Sequence, residues 1–292
     1  MNKLVFCFVF CHFQLFHNQA LIAQSKVIKY SPSKLMAKGQ WDIKWINNLY
    51  TETPNSAVTR NTYFGTYLDI YTGIDAAQRW NIGLLLNYRS NTYNQKNPLS
   101  VFLFNNTDYT ARHGFGSIGL SAKFIPFKNI NQLSLQSSIN IPLVGKEVKD
   151  GNYLDKNSIV WQNRILWDQN FLDNKIQLYT ELNSELLLGK KKSSTDQYVN
   201  TEGGYANNSF SIIPGCFLSY FPTQKIALIS YIQHYQLIEI NNGYSQNYTL
   251  LGIGAKLQVT NQLIIESLAG KIARGVDTNN GFTYTIGLRI IL

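Results

Sequence analysis

The 292-residue chain carries 26 Lys and Arg against 17 Asp and Glu, yet only 15% of its residues are charged and 45% are hydrophobic. The basic excess is scattered, with one short cluster at Lys190, Lys191 and Lys192, so a nucleic-acid surface is not expected. Of three cysteines, two lie in the first eleven residues, which excludes an intrachain disulfide framework in the remainder.

The chain opens MNKLVFCFVFCHFQLFHNQALIAQS. Lys3 gives a positive start, residues 4–16 are mostly apolar but too short to span as a helix, and Ala23 closes a small-residue cleavage signal. Residues 1–23 therefore read as an export signal, and residues 24–38 as a short periplasmic segment. Cys7 and Cys11 follow phenylalanines rather than the small residue a lipid anchor needs, and they leave with the signal. Cys216 stays, expected in an apolar or lipid-facing place.

From residue 39 to 292 the dominant signal is alternation with period two. In QLSLQSSINIPL, Leu133, Leu135, Ile139 and Ile141 fall on one face, and Gln132, Ser134, Gln136, Ser138 and Asn140 on the other. KIQLYTELNSELLL, residues 175–188, repeats the pattern. Twelve such segments follow: 40–51, 61–73, 79–90, 114–125, 132–142, 158–169, 175–188, 208–221, 225–238, 246–259, 262–273 and 281–292. They exceed the ~5–6 residues of an ordinary soluble strand and match the ~9–11 that a tilted strand needs to cross a bilayer.

The connections alternate long and short. The short ones are IDAAQ (74–78), PFKNIN (126–131), NFLDN (170–174), PTQ (222–224) and NQ at 261–262. Outer-membrane barrels join an even number of strands by short periplasmic turns and longer outside loops. The expected fold is all-β, a transmembrane antiparallel up-and-down β-barrel of about twelve strands, closed because an open edge cannot sit in lipid. Trp80, Phe124, Phe127, Phe171, Tyr220 and Phe221 beside the short turns, with Trp41, Trp45, Trp161 and Trp167 near segment ends, fit two aromatic girdles. A soluble barrel with an aromatic core is the competing architecture. Pro214 with Gly215 in SIIPGCF suggests a bulge.

GQWDIKWINNLYTET (39–53), ELNSE (181–185), FLSYFPTQK (217–225), LGIGAKLQVTNQLIIE (251–266) and GFTYTIGLRIIL (281–292) resemble uncharacterised outer-membrane β-barrel proteins of Bacteroidota, of the transporter or porin-like kind. The resemblance covers nearly all of the chain after the signal. It implies residence in a Gram-negative outer membrane, with its lipids and the barrel-assembly machinery as partners. Many barrels end in an aromatic residue that this machinery reads; Leu292 departs from that.

Chemistry is thinly represented. After the signal only His113 and His234 remain, and Ser117, four residues from His113, stands about 13 Å away on a strand. No enzyme activity, metal site or cofactor is therefore expected. Asp and Asn in NNTDYT (105–110) and VDTNNG (276–281) read as polar turns. The inward face would carry Asp69, Asn87, Arg89, Lys123, Arg164, Asp168, Glu181, Glu185, Lys256 and Arg289. These charges either line a narrow channel for small solutes or pair into a filled, non-conducting interior. Arg164 and Glu181, on successive strands, are candidates for a cross-strand pair. Loops 91–113 and 189–207, with Tyr198 and Tyr205, are candidates for surface recognition.

Overall fold

The computed structural model describes residues 31–53, 59–103, 110–189, 208–240, 245–276, 278 and 280–292. The expected export signal, the Lys190–Lys192 cluster, Tyr198 and Tyr205 lie outside the described residues.

Twelve long strands form one closed antiparallel barrel. In chain order the wall begins with β1 (Trp41–Glu52), β2 (Arg60–Gly73), β3 (Trp80–Gln95), β4 (Ala111–Phe124) and β5 (Leu133–Pro142). A separate two-stranded hairpin, β6 (Val148–Lys149) and β7 (Asn152–Tyr153), interrupts the next connection. The wall resumes with β8 (Ser158–Phe171), β9 (Ile176–Gly189), β10 (Ser209–Tyr220) and β11 (Ile226–Glu239). It finishes with β12 (Asn247–Gln258), β13 (Leu263–Val276) and β14 (Phe282–Ile291). Each wall strand pairs with its neighbours in the chain, and β14 returns to β1, so the sheet has no edge strand. The short connections gather at one end, the turn end, where β1 starts and β14 stops. The longer ones gather at the opposite, loop end.

Period-two alternation sets which side chains face which way. On β5, Ile139 and Ile141 are 54% and 53% exposed on the outer wall, while Ser134 and Ser138 on the inner wall are 0% and 1% exposed. All five tryptophans are exposed on the outer wall. Two of them find partners there: Trp45 Nε1 donates to Thr66 Oγ1 at 2.6 Å and Trp161 Nε1 to Ser137 Oγ at 3.0 Å. An indole N–H facing an apolar medium needs such a partner. With large apolar side chains outside and Ser, Gln and charged groups inside, the wall is the reverse of what a water-soluble barrel with an aromatic core requires.

The structure differs from two expectations. Phe221 does not join the outer girdle; it is buried against Ala227 on the inside, one step out of phase with Tyr220. Pro214 does not make a bulge. β10 keeps one register with β9 through Pro214, opposite Leu182, and its pairing to β11 lapses at residues 213–214 and resumes without a shift. The missing Pro N–H leaves a gap in one ladder rather than an extra residue. The inner wall is also not uniformly polar. On β11 to β13, Ile229, Tyr231, Leu237, Leu250, Ile264 and Ile272 are buried inside. This is why IALISYIQHYQLIE reads as a nearly continuous apolar run: both of its faces carry apolar side chains.

Candidate lumenal site

Residues 31–38 lie in the turn-end mouth and are tied to three strands. Asp168 on β8 accepts hydrogen bonds from Ser31 Oγ at 2.6 Å, from Ser33 N at 3.3 Å and from Ser33 Oγ. Lys123 Nζ on β4 donates to the carbonyls of Pro32 and Lys34. On β2, Gly73 O accepts from Gly39 N at 3.1 Å, and Lys38 bridges Gly73. Gly73 leaves room for this crossing: a Cβ there would stand 2.2 Å from the Ala37 carbonyl oxygen. Ser33 and Met36 are buried as a result.

Above this segment lies an inner chamber of about 300 Å³. Much of its lining is ionic. Arg289 Nε and Nη2 donate to the two carboxylate oxygens of Asp42 at 2.7 and 2.8 Å, with Lys44 Nζ 3.5 Å from the same carboxylate. Arg164 Nη2 meets Glu181 Oε2 at 2.6 Å, and Lys256 Nζ meets Glu266 Oε2 at 2.7 Å. Tyr179 OH and the Gln233 amide also donate to Glu181. Apolar side chains, Phe217, Phe221, Ala227, Ile229, Ile264 and Leu268, stand among and beside these pairs.

An outer chamber of about 510 Å³ follows toward the loop end. Phe217 and Leu268 line both chambers and mark the waist between them. The connection 143–157 roofs the outer one through Tyr153, Leu154, Asp155 and Lys156. Arg112 clamps that connection from β4, donating to the carbonyls of Lys146, Glu147 and Asn152 at 2.6, 2.5 and 3.0 Å. Asp155 reaches the lumen, accepting from Asn87 Nδ2 at 3.1 Å and Arg89 Nε at 3.4 Å. Burial first, and the Asp155 carboxylate second, push the Tyr153 phenol well above its ordinary range, so it remains a neutral hydroxyl.

The expected inward residues divide between these places. Asp69, Lys123, Arg164, Glu181, Lys256 and Arg289 line the inner chamber together. Arg89 lines the outer chamber, with Asn87 beside it on Asp155. Asp168 is taken up by the 31–38 segment. Glu185 lies against its neighbours, accepting from Gln162 Nε2 at 2.9 Å and Asn183 Nδ2 at 3.3 Å. Arg164 and Glu181 do pair, but diagonally: the register sets Arg164 opposite Asn183 and Glu181 opposite Leu166. Asp42, Lys44 and Glu266 were missed although their alternation with Trp41, Trp45 and Ile265 marks them as inward. Asp155 had no signal, because it comes from a connection without periodicity.

His234 faces outward with Nδ1 2.9 Å from Thr249 Oγ1. Among the described residues, no group of three or more His, Cys, Asp or Glu is placed to hold a metal ion.

No protein-family model matches the chain, and no curated protein matches it. Solved structures do. A COG4313 outer membrane channel from Pseudomonas putida F1 superposes with a TM-score of 0.64 at 10% identity, over 90% of this chain and 99% of that one. The β domain of the Bordetella autotransporter Brka superposes with a TM-score of 0.50 at 14% identity, over 86% of this chain and 99% of that one. At these identities the likeness is one of fold. The protein is a closed twelve-stranded antiparallel β-barrel of the outer-membrane type.

Proposed function

We propose that the protein is a narrow outer-membrane conduit for small solutes, with its turn end in the periplasm and its loop end outside. The observation that carries this reading is the pair of chambers meeting at Phe217 and Leu268, which together line the interior from the 31–38 segment to the 143–157 connection. A barrel filled across its middle would leave no such space. The apolar outer wall supports outer-membrane lipid as the surrounding medium, and insertion by the barrel-assembly machinery belongs to the same reading. Opposed charges in the inner chamber would select among solutes by charge.

A second reading, a non-conducting structural or surface-recognition barrel, draws on a different observation: both mouths are occupied, by residues 31–38 and by 143–157. Single-channel recording on the full chain refolded into planar bilayers separates the two. Discrete conductance steps whose ion selectivity changes on neutralising Lys44 or Lys256 support the conduit. A folded, inserted barrel that stays silent, with or without residues 31–38, supports the second reading.

A further inference from the structure

The outer chamber has a lining that the charge pattern of the lumen does not explain. Tyr231 on β11, Gly252 on β12 and Gly270 on β13 lie side by side in the sheet register. A Cβ added at Gly252 would stand 2.3 Å from two carbons of the Tyr231 ring, and one at Gly270 would stand 2.5 Å from its hydroxyl oxygen. The ring therefore lies across two bare glycines, flat on the wall. Tyr50 does the same over Gly281, where a Cβ would stand 2.2 Å from the ring. Both rings have aromatic neighbours: Phe217 stacks on Tyr231 at 5.4 Å and 17°, and Tyr63 on Tyr50 at 5.8 Å and 23°. Tyr248, whose partner Tyr235 stacks on it at 5.1 Å, completes the aromatic surface.

The same lining holds neutral groups that both donate and accept, among them the amides of Asn48 and Gln233 and the hydroxyls of Thr283 and Thr285; each amide spends one N–H on the wall, on Thr285 and Glu181 respectively. The charged groups in this lining are Arg89, set 3.4 Å from Asp155, and Lys156 from the same connection as Asp155. Thus the outer chamber sets aromatic and aliphatic side chains beside mostly neutral polar groups, while the inner chamber concentrates ion pairs.

We propose that the outer chamber is a saccharide-binding site for an uncharged hexose unit or a short oligosaccharide. The C–H faces of a pyranose ring carry slight positive charge and pack on the negative face of an aromatic ring. Its hydroxyls each donate and accept, which suits amides and hydroxyls better than fixed ions. The volume of 510 Å³ falls within the roughly 300–1,000 Å³ of ligand pockets. This deepens the conduit reading and relies on it only for the route by which the sugar arrives.

The test uses the full chain refolded in detergent, with heat-modifiable electrophoretic mobility as the check of folding. Maltose and cellobiose are titrated by saturation-transfer NMR, with benzoate as a planar probe lacking hydroxyls. At least one disaccharide is expected to bind saturably. Tyr231→Leu and Tyr50→Leu should each weaken it about fivefold, a loss in line with one aromatic packing interaction, while Tyr231→Phe keeps the affinity. The proposal is overturned if the folded protein binds neither sugar, if both Leu variants bind as the parent does, or if benzoate alone binds. Conduction distinguishes the two readings. A silent barrel that binds sugar sinks the conduit and leaves this site standing, whereas a conducting barrel that binds no sugar does the reverse.

Discussion

Asp42 holds the guanidinium of Arg289 through two hydrogen bonds, at 2.7 and 2.8 Å, across the seam where the first strand of the barrel meets the last. The pair is diagonal, because Arg289 stands opposite Lys44 and Asp42 opposite Ile291. It joins residues 247 apart in sequence at the one strand pairing that closes the wall. Asp42→Asn leaves Arg289 and Lys44 without their carboxylate. The expected cost is about 1–3 kcal/mol, read as a lower urea midpoint for the barrel refolded in lipid vesicles. An unchanged midpoint would show that the backbone ladder alone seals the seam.

The tryptophans report on the medium around the barrel. All five face outward, each between 41% and 50% exposed. On insertion into vesicles their emission should shift to the blue, and brominated lipid tails should quench it. Emission indifferent to brominated lipid would mean that the outer wall is not in contact with the bilayer.

The 31–38 segment is held by Asp168, Lys123 and Gly73. Deleting residues 31–38 should raise single-channel conductance several-fold, with the barrel still folded. Asp168→Asn weakens the anchor of Ser31 and Ser33 without shortening the chain, and should give intermediate, fluctuating steps. Conductance identical to the parent in both variants would place the narrowest point elsewhere.

Gly252 is where the wall has no room for a side chain. Gly252→Val drives two methyl groups into the Tyr231 ring. Overpacking of this kind costs about 1–3 kcal/mol. A drop in urea midpoint, partly reversed when Tyr231→Ala is added, is the expected pattern. Additive losses in the double variant would argue that the two sites do not touch.

Arg112 is the clamp on the roof of the outer chamber. Arg112→Ala removes three donors to the carbonyls of the 143–157 connection. The connection should then be cut faster by trypsin at Lys146, Lys149 or Lys156, while the wall stays resistant. Cleavage at the parental rate would mean that the Asn91, Tyr93 and Asp155 contacts hold it without Arg112.

The wall was legible in the sequence because the signal for it is local. Alternation in QLSLQSSINIPL decides which side chains of β5 face outward, and the order of short and long connections decides the up-and-down path. The observed strand limits differ from the expected ones mainly toward the loop end, where β3 runs on to Gln95 and β13 to Val276. The 3₁₀ turn at Pro98–Phe102 and the β6–β7 hairpin were not legible, since neither repeats over enough residues to leave a period.

Alternation says that Arg164, Glu181 and Arg289 face inward, and the residue types say that they carry charge. Successive strands marked Arg164 and Glu181 as a candidate pair, but alternation does not set the geometry of a contact. That depends on register and on the diagonal reach of long side chains, so Glu181 meets Arg164 and not a residue directly opposite, and Asp42 meets Arg289 over a separation the sequence does not bridge. Nor could composition reveal that Ser31, Ser33 and Asp155 enter the two mouths, or that Gly252 and Gly270 lie side by side beneath one tyrosine. The sequence by itself determined the strands, their faces and their order, because each follows from contacts a few residues apart and from the period of the backbone. Only the closed tertiary structure decided the ion pairs, the occupied mouths and the flat aromatic wall, because these arise when strands distant in sequence curve around a shared interior.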